Sequence, residues 1–354
     1  MRVSVVVISR NEAPRLRLAL ASYERAVASA AAGGIPAEIV VVDDGSTDAT
    51  REVIAASTAV LPLVAIHNPT GTGIAEARNR GAAAATGDVL LFMDGDVLLA
   101  PDGLVAHAEA HGGRAQPAIV RGASSHLRCT RAFLDPQDGT PFPGQEEAVA
   151  RMGAELAGSI VTAADVRDRF DTIDARARPG IYVGSVNADL YAAEIEALVA
   201  DGGRDVCWMS VPGHNVSIPR AAFAASGGYD GRQIPVEPRE LGLRLCEAGL
   251  DVAYAGRARS YHLAHKGRGR DPLSGRQDWI TAFFGRHSAP AAKLMLVFWH
   301  SIARSKAIPA DARIDSILHL ARILRAGAAP RYESVFRDLV AAAAAESPPA
   351  LLAR

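Results

Sequence analysis

Cysteine is scarce in this 354-residue chain: three thiols, Cys129, Cys207 and Cys246, lie far apart and form no CxxC pair. That spacing argues against a disulfide framework and a thiolate zinc site, and makes a reducing compartment the default. Lysine is scarcer still in proportion, with only Lys266, Lys293 and Lys306 among 38 basic residues. Against 39 acids the formal net charge is −1, so neither sign dominates and the electrostatic signature of a nucleic-acid binder is missing. No apolar run reaches the roughly 20 residues a bilayer span requires. The nearest, "AKLMLVFWHSIA" at 292–303, is short and flanked by charge. It reads as a buried helix, with an interfacial helix as the alternative. "MRVSVVVISRNE" turns polar too early for a secretory signal, so a cytoplasmic protein is expected.

What is there is strand–helix alternation. "VSVVVIS" (3–9) is a continuous β-branched run, as expected of a strand buried on both faces. A helix is predicted over 13–32, with Pro14 in its first turn and Gly33–Gly34 as its stop. "EIVVVDD" (38–44), "LPLVAIHN" (61–68) and "DVLLFMD" (88–94) read as further strands. Helices are predicted between them over 46–57, capped by Ser46 or Thr47, and over 73–85. The pattern predicts an α/β fold, an open and mostly parallel sheet flanked by helices. After residue 125 the pattern loosens, with a loop at 135–146 and helices near 145–157 and 188–200. A strand and short helix follow in "GHNVSIPRAAFAASGGYDG" (213–231), then an amphipathic helix in "VEPRELGLRLCEAG" (236–249). From about 275 onward the pattern is helical, Ala/Leu-rich and without acid clusters.

Ligands of parallel sheets collect at the carboxyl ends of the strands. Here those ends are Ser9–Glu12, Asp43–Asp44, His67–Asn68 and Asp94–Asp96. Asp43 and Asp44 could accept from a ribose diol or a base edge; a capped turn with solvated acids explains them equally. In Asp94-Gly95-Asp96 the glycine lets the chain turn so that both carboxylates face one point, an oxygen site suited to Mg²⁺ or Mn²⁺. The competing reading is a plain hairpin turn. Gly71 and Gly73 give half of a dinucleotide fingerprint, but Glu76 stands where its third glycine belongs, so they are read as starting the helix that carries Arg78 and Asn79. "RARSYHLAHKGRGR" (257–270) is basic and holds His262 and His265. It suits a diphosphate-binding loop or a solvated charged loop, and a histidine there could complete a metal's coordination sphere.

"VSVVVISRNE", "EIVVVDDGSTDAT", "GIAEARNRGAAAATGDVLLFMDGD" and "GHNVSIPRAAFAASGGYD" together resemble the GT-A glycosyltransferases of family 2, in the order that family shows, across roughly residues 3–265. The resemblance implies a GT-A domain over 1–270, with a nucleotide-sugar half (1–100) and an acceptor half (101–270), and a C-terminal helical region over 271–354. It also implies metal-dependent, inverting transfer from a nucleoside-diphosphate sugar, a UDP-sugar first, to a glycan, peptide or small metabolite. By position Ser9, Glu12, Asp43 and Ser46 would surround the base and ribose, with Asp44 beside them. Arg78 would approach the sugar–phosphate side, Asp94 the ribose or metal, and Asp96 the Mn²⁺ or Mg²⁺. His262 would be a late metal ligand, with His265 in reserve. In the family a Glu-Asp pair usually supplies the base; here Glu237 matches the Glu, Pro238 replaces the Asp, and Glu240 matches a later acid. Glu237 or Glu240 is therefore the expected base. The acceptor is expected in a cleft formed by residues 130–235. Rival readings are a sugar nucleotidyltransferase and a non-catalytic donor-binding scaffold. Whether the C-terminal helices form a homodimer or touch a membrane peripherally is left open.

Overall fold

The computed structural model describes residues 1–179, 196–198, 200, 204–233, 236–265, 277–302 and 305–345. The first unit follows the predicted alternation: β1 (Val3–Ser9), α1 (Ala13–Ala32), β2 (Ala37–Asp43), α2 (Thr50–Ser57), β3 (Leu63–His67), α3 (Ile74–Ala84) and β4 (Val89–Asp94). Then come β5 (Val97–Leu99), α4 (Gly103–His111) and β6 (Ala118–Leu127). A two-stranded ribbon, β7 (Phe133–Asp135) with β8 (Thr140–Pro141), occupies the predicted 135–146 loop. Short helices α5 (Glu146–Ala150), α6 (Glu155–Ser159), α7 (Ala163–Asp168) and α8 (Phe170–Arg176) lead to β9 (Arg178–Pro179). Beyond it lie α9 (Arg204–Cys207), β10 (Val216–Pro219), α10 (Arg220–Ala225), α11 (Glu237–Glu247) and β11 (Asp251–Leu263). Among the described residues the α-helices that follow are α12 (Gln277–Arg286), α13 (Pro290–Ile302), α14 (Ile317–Arg325) and α15 (Glu333–Ala345).

The main sheet runs β3-β2-β1-β4-β10-β6-β11-β5. Its first four strands are parallel, so Ser9, Asp43 and His67 stand side by side at one edge and Ile8 pairs with Asp94. The second half is mixed: β10 is antiparallel to both neighbours, whereas β6 and β11 are parallel to each other. The start of β10 and the end of β11 therefore return to that same edge.

The continuous apolar runs exist because the sheet is covered on both faces. Val3, Val5 and Val7 of β1 pack with α1, α2 and α4, while Val6 faces the other side with α3 and the C-terminal helices. β4 divides the same way, Leu91 and Met93 against Leu90 and Phe92. The run at 292–303 follows the buried-helix reading: Leu294, Met295, Leu296, Val297 and Phe298 of α13 are buried in the core. No helix among the described residues is long and apolar enough to cross a membrane. The predicted helix near 188–200 and the basic residues 266–270 fall mostly or wholly outside the described residues, as does the expected boundary at 270.

Candidate active site

The Asp94-Gly95-Asp96 stretch is a tight turn but not a hairpin. β4 and β5 are not neighbours; β5 crosses to pair with β11 at the far end of the sheet path. The glycine is required by close approach: a Cβ at Gly95 would lie 2.8 Å from Ser9 Oγ and 3.1 Å from the Ile8 carbonyl oxygen. The Gly95 N–H donates to Ile8 O at 2.9 Å, and Tyr23, fully buried, donates its hydroxyl to Val97 O at 2.8 Å. The Leu263 N–H donates to Asp96 O, which seats the end of β11 on the turn.

That seat brings His262 and His265 onto one carboxylate oxygen. Their Nε2 atoms lie 3.1 and 3.0 Å from Asp96 Oδ2. One ligand atom from each of the three residues falls within 4.8 Å of the others. Burial by itself would raise the Asp96 pKa, but the charge and hydrogen bond of His262, then those of His265, hold it well below the usual carboxylate range. Burial disfavours a charged His265, yet its hydrogen bond to Asp96 and that carboxylate's charge raise its pKa; Glu12 adds to the effect. Arg15, 1% exposed, donates to the carbonyls of Leu263, Leu134 and Phe133 and so pins the backbone between the two histidines.

Two further histidines were not singled out from the sequence. His214 lies 3.6 Å from Asp94 Oδ2 and stacks on His262. It precedes Asn215, the residue before antiparallel β10, whose N–H donates to Phe92 O and so places His214 opposite the end of β4. Its position in the quoted "GHNVSIPR" was a usable signal. His126, on β6, is in register with His262, and their Nδ1 atoms are 3.1 Å apart. Nothing in the sequence announces that pairing, since it depends on β6 and β11 being parallel.

Arg78, 4% exposed, bridges two carboxylates: Asp94 Oδ1 at 3.0 Å and Glu237 Oε1 at 3.2 Å. The Tyr229 ring lies against its guanidinium at 5.3 Å. For Asp94, burial raises the pKa, but the Arg78 charge and His214 outweigh it and lower it. Glu237 differs. Burial dominates there and raises its pKa despite the Arg78 charge, and its Oε2 is buried with no hydrogen-bond partner among the described residues.

Glu240, the other candidate, is fully buried and saturated. Arg244 grips both its oxygens, at 2.9 Å through Nε to Oε1 and 2.7 Å through Nη2 to Oε2. Arg286 and His287 add bonds of 3.1 and 3.2 Å to Oε1. Burial would raise its pKa, but hydrogen bonds from His287 and Arg244 and the Arg244 charge hold it down to about 2.

At the carboxyl edge of the parallel strands, the loops after β1 and β2 are laced together. Asn11, at φ +55°, accepts from Thr47 N, and its own N–H donates to Ser46 Oγ. Ser46 and Thr47 therefore do not cap a helix at 46, as the sequence suggested. The helix starts at Thr50, whose N–H and hydroxyl bond Asp48. Asp43 accepts from Ser46 N, Arg51 and His67. Asp44 takes Asn68, the Thr72 N–H and hydroxyl, and the Gly73 N–H, which anchors the loop leading into α3. Its oxygens are thus committed to the protein. Ser9 Oγ, at the end of β1, is buried without a partner among the described residues. Glu12 lies 3.9 Å from Arg15.

A parallel half-sheet with acids at its carboxyl edge, joined there by a carboxylate–histidine cluster, defines an α/β fold with a candidate cation site. Residues 4–122 match the family model described as Glycosyl transferase family 2. A validoxylamine A glucosyltransferase from Streptomyces hygroscopicus subsp. jinggangensis is 30% identical over 267 residues, 71% of this chain and 52% of that protein. A dolichol-phosphate mannosyltransferase from Pyrococcus furiosus is 33% identical over 102 residues, 29% of this chain and 28% of that protein. The chain spans about a quarter to a half of the length of these and similar curated relatives. Among solved structures, the mannosyltransferase PcManGT from Pyrobaculum calidifontis, in complex with GDP-Man and Mn²⁺, superposes with a TM-score of 0.49. It is 15% identical and covers 98% of this chain and 86% of its own.

Proposed function

We propose that the chain transfers a sugar, with inversion, from a nucleoside-diphosphate sugar to an acceptor hydroxyl, with Glu237 as the general base. The acceptor oxygen attacks the sugar's anomeric carbon while Glu237 takes its proton and the nucleoside diphosphate departs with the bonding electrons. The choice of Glu237 over Glu240 rests on their surroundings. Glu237 keeps an unengaged oxygen and a raised pKa, whereas Glu240 is saturated by cations and would be a weak base. Pro238 is then no obstacle: it sits in the first turn of α11, where a missing N–H costs nothing.

The donor set at Asp96, His262 and His265 fits a divalent cation: three ligand atoms within 4.8 Å, one carboxylate and two imidazoles. Two nitrogen ligands favour Mn²⁺ over Mg²⁺. When bound, the ion supplies positive charge against the developing charge of the leaving diphosphate. Ser9, whose hydroxyl has no partner among the described residues, and Asp43 face the nucleoside in this reading, and Asp44 holds the neighbouring loop that leads into α3.

The observation that carries the proposal is the relay Asp94–Arg78–Glu237, which links the proposed base to the turn bearing Asp96. A UDP-sugar is the first donor proposed, and the Streptomyces relative makes glucose and validoxylamine A the first pair to test. Incubation of UDP-glucose with validoxylamine A, followed by NMR, is expected to show a product of inverted anomeric configuration that Glu237→Gln no longer makes. A retained configuration, or full turnover by Glu237→Gln, contradicts the proposal.

A further inference from the structure

The first turn of α11 carries three charged side chains that reach three parts of the molecule. Glu237 reaches Arg78 on α3. Arg239 donates to Met209 O and stacks on the Trp299 ring of α13, 5.1 Å away. Glu240 receives Arg286 and His287, which stand at the end of α12. Two of the three are thus held by the C-terminal helices, and the third is the proposed base.

A second route from Glu240 ends at the same place. Arg244, while gripping Glu240, also donates to the carbonyls of Ser226 and Gly228. Those carbonyls hold the Ser226–Gly228 turn, where Gly227 and Gly228 both have positive φ (79° and 75°). The turn hands the chain to Tyr229, whose backbone is bonded to Asn79 on α3 and whose ring lies on Arg78. One route therefore fixes the helix turn bearing Glu237, and the other fixes the aromatic wall behind its guanidinium partner. The C-terminal helices also share one hydrophobic cluster with Trp208, Val211 and Leu241, so the grip is backed by packing.

Resting on the reading of Glu237 as base, we infer that the Glu240–Arg244–Arg286–His287 knot is a positioning device through which the C-terminal helices hold Glu237 and Arg78 in register. Glu240 is a positioning residue with no contact to donor or acceptor. A buried carboxylate with this many cationic donors is costly to leave half-paired, so the knot has one stable arrangement. It sits on the helix turn that bears the proposed base, where a displacement of about 1 Å would cost on the order of a hundredfold in rate.

The test is a double-mutant cycle read by release of nucleoside diphosphate from whichever UDP-, GDP- or dTDP-sugar the native chain turns over with Mn²⁺. Glu240→Gln keeps the side chain's shape and removes its charge. It is expected to lower kcat ten- to a hundredfold while KM for the donor and Mn²⁺ affinity stay within twofold. In a Glu237→Gln background the same change is expected to have no further effect on kcat. Arg286→Met repeats the test from the other side of the knot if Glu240→Gln fails to fold, and Arg286→Lys is expected to restore most of the rate. An equal loss from Glu240→Gln with or without Glu237, or a loss confined to KM, overturns the inference. Full activity of Glu237→Gln alone instead overturns the reading of the base on which it rests.

Discussion

One helical turn separates Glu237 from Glu240, and their surroundings push them in opposite directions. Burial prevails at Glu237 and raises its pKa, so the carboxylate gains a proton at a higher pH than an ordinary glutamate. A general base must be unprotonated, so turnover is expected to fall as pH drops through that raised pKa, above the usual value of about 4.3. A pH–rate profile should place the acidic limb there, and Glu237→Gln should lose about 10²- to 10⁴-fold in kcat together with that limb. A limb at or below the ordinary value, unchanged by Glu237→Gln, would remove Glu237 from the role. The sequence names both glutamates but gives no means of choosing between them. Two of the three groups that saturate Glu240 come from 46 and 47 residues further along the chain, and only Arg244 is local. His126 is hidden for the same reason, its partner lying 136 residues away.

Elements were more legible than contacts. Strands β1, β2 and β4 could be read because burial on both faces leaves an unbroken apolar run, and α1 because Pro14 and Gly33–Gly34 mark its ends. The start of α2 lies four residues later than expected because Ser46 and Thr47 bond to Asn11 in the loop after β1 instead of capping their own helix. The return of β10 and β11 to the edge that bears Asp94 and Asp96 depends on strand order, which local pattern does not encode. The turn between β4 and β5 carries a prediction at this scale. Gly95→Ala places a methyl against Ser9 and the Ile8 carbonyl, so the turn must shift. It is expected to cost about 1–3 kcal/mol of stability and to weaken Mn²⁺ binding by displacing Asp96. Calorimetric titration with Mn²⁺ checks the second part, and native affinity in a destabilised Gly95→Ala protein would separate the turn from the cation site.

Over the whole molecule, the C-terminal helices are part of one core with the mixed half of the sheet, a union that the break in sequence character near residue 275 did not suggest. The Glu240 knot ties them together by charge as well as packing. A carboxyl whose folded pKa is depressed stabilises the fold above its unfolded pKa, and that stability is lost as pH falls through the folded value. For Glu240 the window runs from 4.5 down to about 2. A shift of that size corresponds to roughly 3 kcal/mol. Urea unfolding at a series of pH values should show stability falling across this window, with a shallower fall in Glu240→Gln. Identical slopes would mean that other carboxyls carry the acid sensitivity.

The account turns on a cation held by Asp96, His262 and His265 beside the proposed base. It is tested most directly by nucleoside diphosphate release from a panel of UDP-, GDP- and dTDP-sugars, measured with Mn²⁺, with Mg²⁺ and with EDTA. Turnover of at least one donor with Mn²⁺, weaker with Mg²⁺, abolished by EDTA and absent in Asp96→Asn, is the predicted result. Turnover indifferent to EDTA, or no turnover of any donor with Mn²⁺, would contradict it.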